Sequence, residues 1–212
     1  YKKCDDEIKL LLAFLDHWSS SSHCPDVVTG WNTRLFDIPY LVNRIGRIMG
    51  DDMVKKLSPW GVVQYRKIAV KGKELDTYEM YGISQLDYLD LFQKFGYSYG
   101  AQESYKLDHI AHVVLGERKL SYEEHSSLHA LYKHDFQKFI DYNIKDVELV
   151  DKLEDKMRLI EQALTIAYDA KVNYGDVFTQ VRMWDTLIHN YLLERKIVIP
   201  PKDFQGKDSK YE

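Results

Sequence analysis

Hydrophobic and polar positions alternate with changing period along the chain, and the changes mark its elements. Ile8, Leu11, Leu12 and Leu15 recur at helical spacing, and Asp5, Asp6 and Glu7 precede them. Acids at that end favour the helix dipole, so Asp5 to Trp18 is predicted to be an amphipathic helix. Ser19 to Pro25 is a polar turn. Val27, Val28 and Thr29 make Asp26 to Trp31 a short β-prone run. Leu41, Ile45 and Ile48 return to helical spacing, predicting a helix from Phe36 to Met49 that stops at Gly50.

From Val62 to Tyr81 the period becomes two. Two β-rich runs flank Gly72, which predicts a hairpin with Lys71 and Lys73 at its tip. Ile83 to Leu89 reads as a further strand, and Asp90 to Phe95 as a short helix. Tyr105 to Leu115 is predicted helical and closed by Gly116. Ser121 to Leu131 is histidine-rich and reads as a loop with about one helical turn. His134 to Ala170 is helical with a break near Asn143. Phe178 to Arg195 forms the last helix, before Pro200 and Pro201. The charged tail from Lys202 to Glu212 has no periodicity and reads as linker or disorder. Helices alternating with strands indicate an α/β architecture. The strands are few for a complete domain of that class.

Composition narrows the function. With 212 residues the chain can bury a sizeable core. A net charge of −4 does not suit a protein that holds duplex nucleic acid by charge alone. It does suit an enzyme whose carboxylates hold cations. The two cysteines, Cys4 and Cys24, offer neither a disulfide framework nor a zinc site, and a reducing compartment fits. No apolar stretch is long enough to span a bilayer, so no membrane partner is expected. The chain opens at Tyr1 without a methionine, which points to a fragment.

Two aspartates stand in unusual places. In GWNTRLFDIPYL, Asp37 interrupts an apolar run between Phe36 and Ile38 at a strand-to-helix junction. In FIDYNIKDVELV, Asp146 lies along a stripe formed by Ile140, Ile144, Val147 and Val150, with Tyr142 one turn earlier on the same face. A capping role for Asp37 and a solvated role for Asp146 are the ordinary readings. The alternative is chemical. Phosphodiester hydrolysis needs a nucleophilic water and charge on the attacked phosphate, and two divalent metals about 4 Å apart supply both. Oxygen ligands from separate rigid elements suit Mg²⁺ or Mn²⁺. Tyr142 can orient the water. Asn32 and Phe36 can hold a terminal nucleotide by hydrogen bonding and stacking.

At these residues the sequence resembles the 3′→5′ exonuclease domain of family B DNA polymerases, most closely those of T-even-type bacteriophages. GWNTRLFDIPYL resembles the second exonuclease motif and YNIKDVELV the third. GISQLDYLDLFQKF and SYKLDHIAHVVLGERKLSYE resemble the intervening segments, and RMWDTLIHNYL the lead-out towards the polymerase palm. The resemblance implies a ribonuclease-H-like exonuclease fold. It implies Asp37 and Asp146 as metal ligands, Tyr142 as the water-positioning residue, and Asn32 and Phe36 as primer-strand contacts. Lys119 aligns with a lysine near the site, and the hairpin resembles one that separates primer from template, which draws Lys71 and Lys73 towards DNA. Without the resemblance, those lysines could equally be solubilising charges.

The implied cofactors are two Mg²⁺ or Mn²⁺ ions in the intact enzyme, weak or absent here. The implied partners are a single-stranded primer 3′ end, primer-template DNA, the remainder of the polymerase chain and a sliding clamp. The implied location is the cytoplasm of an infected bacterial host. The expected domains are a partial exonuclease domain at 1–170, a helical lead-out at 171–201 and the tail at 202–212. The family's first motif, an aspartate and a glutamate two apart on a strand, is not matched. Asp5-Asp6-Glu7 and Asp146-Val147-Glu148 offer the residue types but not the context. The fold is therefore expected to be truncated at its N-terminus, with an inserted hairpin and with a sheet edge that pairs with another copy or rearranges locally. At most trace nuclease activity is expected. A free-standing exonuclease subunit of a split polymerase and a non-catalytic single-stranded-DNA-binding module remain alternative readings.

Overall fold

The computed structural model describes residues 2–70, 72–121, 124 and 127–199. Lys71 and the predicted tail at 202–212 lie outside the described residues, as does part of the 121–131 loop. The chain divides into two compact units, Tyr1–Ala163 and Leu164–Glu212.

In the first unit, helix α1 spans Glu7–Trp18, and the Asp6 carboxylate caps it by accepting the Lys9 N–H at 2.8 Å. Strand β1 is only Val27–Val28. Helix α2 spans Asp37–Met49 and is followed by the short α3, Asp51–Val54. Leu11 and Leu15 of α1 pack with Ile38, Val42 and Ile45 of α2, Val54 and Leu57. The Trp18 indole fastens this core by donating to the Leu57 carbonyl at 3.0 Å.

The predicted hairpin is present. Strands β2 (Val63–Val70) and β3 (Lys73–Met80) pair antiparallel, in register from Val63↔Met80 to Val70↔Lys73. Gly72 takes φ +77° at the tip, where an L side chain is disfavoured. Met80 enters the α1–α2 core, while the far end of the hairpin is exposed.

The predicted strand at Ile83 to Leu89 shrinks to β4, Ser84–Gln85, because Asp87 caps helix α4, Tyr88–Phe95. Strand β4 pairs parallel with β1, Val27↔Ser84 and Val28↔Gln85. Among the described residues, that pair and the hairpin are the whole β-structure, and β1 and β4 pair only with each other.

Helix α5 spans Leu107–Leu115 and ends where Gly116 adopts a left-handed φ of +75°. The histidine-rich loop yields more helix than expected. Ser127 caps α6, Leu128–His134, through its hydroxyl. Helix α7 runs from Phe136 to Met157 without a break at Asn143, whose carboxamide donates to the Phe139 carbonyl one turn back at 2.6 Å. The interruptions fall instead at Asp135 and at Arg158, which is left-handed at φ +51°. Helix α8, Leu159–Ala170, crosses into the second unit, where a 3₁₀ turn at Tyr174–Phe178 and helix α9, Gln180–Glu194, follow. Arg182 of α9 pairs with Asp176 of that turn at 2.6 Å.

Candidate active site

The GWNTR turn leaves β1 and delivers the chain into α2. Gly30 has φ +154°, and a Cβ there would lie 2.4 Å from the Thr33 Cγ2. Asn32 is left-handed at φ +68°, a conformation asparagine tolerates better than most residues. Trp31 anchors the turn from below. Its indole donates to the Tyr105 carbonyl at 3.0 Å, and its ring lies near those of Tyr88 and Phe92.

This turn presents three of the predicted site residues. The Asn32 carboxamide has no hydrogen-bond partner among the described residues, although its backbone is well held. Phe36 is 67% exposed, an unusual position for a phenylalanine in an apolar run. Asp37 is the first residue of α2 and is also exposed, whereas Ile38 is buried. The carboxylate is therefore not sealed in the apolar run, because helical winding sends the neighbouring side chains to different sides. Partial desolvation still raises the Asp37 pKa, against the lowering effect of its own backbone N–H.

The third motif lies on α7. Asp146 does not share a buried stripe with all of the predicted residues: Ile144 and Val147 are exposed, and the buried positions are Leu149, Val150 and Leu153. Asp146 sits half-buried at the margin of that face. Its Oδ2 accepts a hydrogen bond from the Lys119 Nζ at 2.6 Å, and its Oδ1 is buried with no partner among the described residues. The same ammonium lies 5.4 Å from the Tyr142 ring centroid. Burial alone would push the Lys119 pKa down. The hydrogen bond and charge of Asp146, with a contribution from Tyr142, outweigh it and raise the value.

Lys119 reaches Asp146 because the start of its loop is held by both α5 and α7. Asp108 accepts the Lys119 backbone N–H at 2.8 Å and pairs with Arg118 at 3.0 Å. Glu117 pairs with Lys145 at 2.6 Å and Lys152 at 2.7 Å, both on α7. Hydrogen bonds from these two lysines lower the Glu117 pKa to about 2.

The predicted residues thus form two groups, Asn32–Phe36–Asp37 and Lys119–Tyr142–Asp146, and no hydrogen bond or ion pair joins them among the described residues. Lys73 stands apart and exposed at the start of β3. No cluster of three or more histidine, cysteine, aspartate or glutamate side chains suited to a metal occurs among the described residues. The donor set nonetheless fits a hard cation in part: Asp146 keeps one buried oxygen uncommitted, and Asp37 is a carboxylate with no side-chain partner among the described residues.

Sequence reasoning passed over Asp87, Asp108 and Glu117. Asp87 carried a usable signal, since an aspartate directly before YLDLF is a helix N-cap pattern. The partners of Asp108 and Glu117 arise from tertiary packing.

Residues 2–110 match the family described as DNA polymerase family B, exonuclease domain. The chain belongs to this family. The DNA-directed DNA polymerase of Escherichia phage RB69 is 37% identical over 200 residues, covering 94% of this chain and 22% of its own length. That of Enterobacteria phage T4 is 32% identical over 209 residues, covering 99% of this chain and 23% of its own length. The DNA polymerase delta catalytic subunit of Candida albicans is 28% identical over 214 residues, covering 93% of this chain and 20% of its own length. The chain therefore spans under a quarter of the length of these polymerases.

Proposed function

We propose that this chain is part of the 3′→5′ proofreading exonuclease of a phage-type replicative DNA polymerase, with a ribonuclease-H-like fold truncated at the N-terminus and an inserted hairpin. The observation that carries the reading is the Asp146 carboxylate, which has one oxygen on Lys119 and the other buried and uncommitted beside Tyr142. Asp37 and Asp146 would hold Mg²⁺ or Mn²⁺ together with carboxylates from elsewhere in the polymerase. When bound, the ions supply charge at the attacked phosphate and favour formation of the nucleophile. Tyr142 orients the attacking water, and Lys119 offsets phosphate charge once it leaves Asp146. Asn32 hydrogen-bonds the terminal nucleotide, and the exposed Phe36 ring stacks on it. Lys73 and Lys71 meet primer-template DNA.

The remainder of the polymerase chain is the nearest partner. Val181, Trp184, Ile188 and Tyr191 are all exposed on α9, an apolar set that suits burial against further protein. A sliding clamp and the cytoplasm of an infected bacterium complete the proposed setting.

The test uses the full polymerase that contains this segment. Asp37→Ala and Asp146→Ala should each abolish digestion of single-stranded DNA from its 3′ end while primer extension persists. Undiminished digestion by either variant would refute the reading. The 212-residue chain alone should show no more than trace Mg²⁺- or Mn²⁺-dependent digestion. The Lys119–Asp146 ion pair favours one competitor, a non-catalytic single-stranded-DNA-binding module in which Asp146 is structural. Mn²⁺ titration of the full polymerase, followed at Asp37 and Asp146, separates the two, since the module binds no metal there.

A further inference from the structure

Asp87 is 2% exposed, yet it is a carboxylate, and burying one requires compensation. As the N-cap of α4 it needs only to accept the Leu89 N–H, which Oδ1 does at 3.0 Å. Capping does not account for its other bonds. Oδ1 also accepts the Asn32 backbone N–H at 2.9 Å, and Oδ2 accepts the Arg34 backbone N–H at 3.0 Å. These two donors lie more than fifty residues earlier in the chain, in the turn between β1 and α2.

That turn needs an external hold. It contains Gly30 and Asn32 at positive φ, and its exit residue Phe36 is mostly exposed. Arg34 is pinned from two further sides. Its guanidinium pairs with Asp90, one turn along α4, at 2.7 Å. Its carbonyl accepts the hydroxyl of buried Thr77, on the hairpin, at 3.0 Å. The α4 N-terminus therefore grips the turn through Asp87 on two backbone amides and through Asp90 on one side chain.

We infer that Asp87 is the positioning residue of the exonuclease site: its carboxylate fixes the Asn32–Arg34 backbone and thereby aims Asn32, Phe36 and Asp37 at the 3′ end of the DNA. The inference rests on the nuclease reading above. Asp87 itself touches neither DNA nor metal.

Two substitutions separate positioning from capping. Asp87→Ser retains an N-cap for α4 but is too short to reach Asn32 and Arg34. Asp87→Asn keeps an oxygen for Asn32 and Leu89 and turns a donor towards Arg34. In the full polymerase, Asp87→Ser should lower the kcat for single-stranded DNA digestion about 100-fold, the typical cost of an ångström-scale misplacement. Asp87→Asn should fall between it and the parent. Binding of a 3′-ended oligonucleotide in EDTA should weaken in the same order, because Asn32 and Phe36 act without metal. Primer extension should be unchanged. In the 212-residue chain, Asp87→Ser should speed amide exchange at Asn32 and Arg34 but not at Leu89.

Parental kcat, oligonucleotide affinity and amide exchange in Asp87→Ser, with Asp37→Ala inactive, would overturn the inference and leave the nuclease reading standing. Equal loss of digestion and primer extension would also overturn it, by making Asp87 a folding residue. An active Asp37→Ala enzyme would instead remove the reading on which the inference rests.

Discussion

Lys119 and Asp146 meet at 2.6 Å, and at that distance the ammonium would compete with any metal ion for the carboxylate. A metal reaching Asp146 must accept the single free oxygen or displace the ammonium. Lys119→Met should therefore strengthen Mn²⁺ binding to the full polymerase severalfold, read as paramagnetic broadening at Asp146. Unchanged broadening would show that the pair does not gate the site. Asp37 is conspicuous in the sequence between Phe36 and Ile38, and Asp146 among the apolar positions of a helical pattern. Their surroundings are not legible there. Ile144 and Val147 are helically spaced with each other and with Val150 yet face solvent, since periodicity defines a stripe without saying how wide its buried part is. Asp87 was passed over because its place in the run ISQLDYL fits a strand as well as it fits a cap.

At the scale of elements, the turn before α2 and the loop after α5 are both held from outside. Gly30→Ala would force a Cβ to within 2.4 Å of Thr33 at a backbone angle that L residues avoid. The expected cost is about 1–3 kcal/mol in urea-monitored unfolding. The loop after α5 depends on charge. The Glu117 pKa is depressed from an ordinary 4.5 to about 2, so its link to Lys145 and Lys152 stabilises the fold fully above pH 4.5 and is lost as pH falls towards 2. Glu117→Gln should flatten the decline of the thermal midpoint across that window. A decline as steep as the parent's would assign the acid sensitivity to other groups. The hairpin was legible because β-rich runs flank a glycine. Helix α7 was legible as a helix but not in its limits: Asn143 satisfies its carboxamide on the preceding turn instead of breaking the helix.

Across the whole molecule, the α1–α2 core carries the turn that presents Asp37. Ile45 is fully buried at its centre, and Ile45→Ala should cost about 2–5 kcal/mol, measured by chemical denaturation. Alternating helices and strands made the α/β class legible, but not the small extent of the parallel pair, two residues in each strand. That short parallel pair has a kinetic consequence. Val27 and Ser84 are joined across 57 residues, whereas the hairpin between them needs only neighbouring segments to meet. Hairpins close in about 1–10 μs, long before distant segments find each other. Once zipped, two eight-residue strands no longer contribute slack to the longer closure, which lowers its entropy cost. The parallel pair is then a late event on the folding route, and substitutions at Val27 or Val28 should speed unfolding far more than they slow folding.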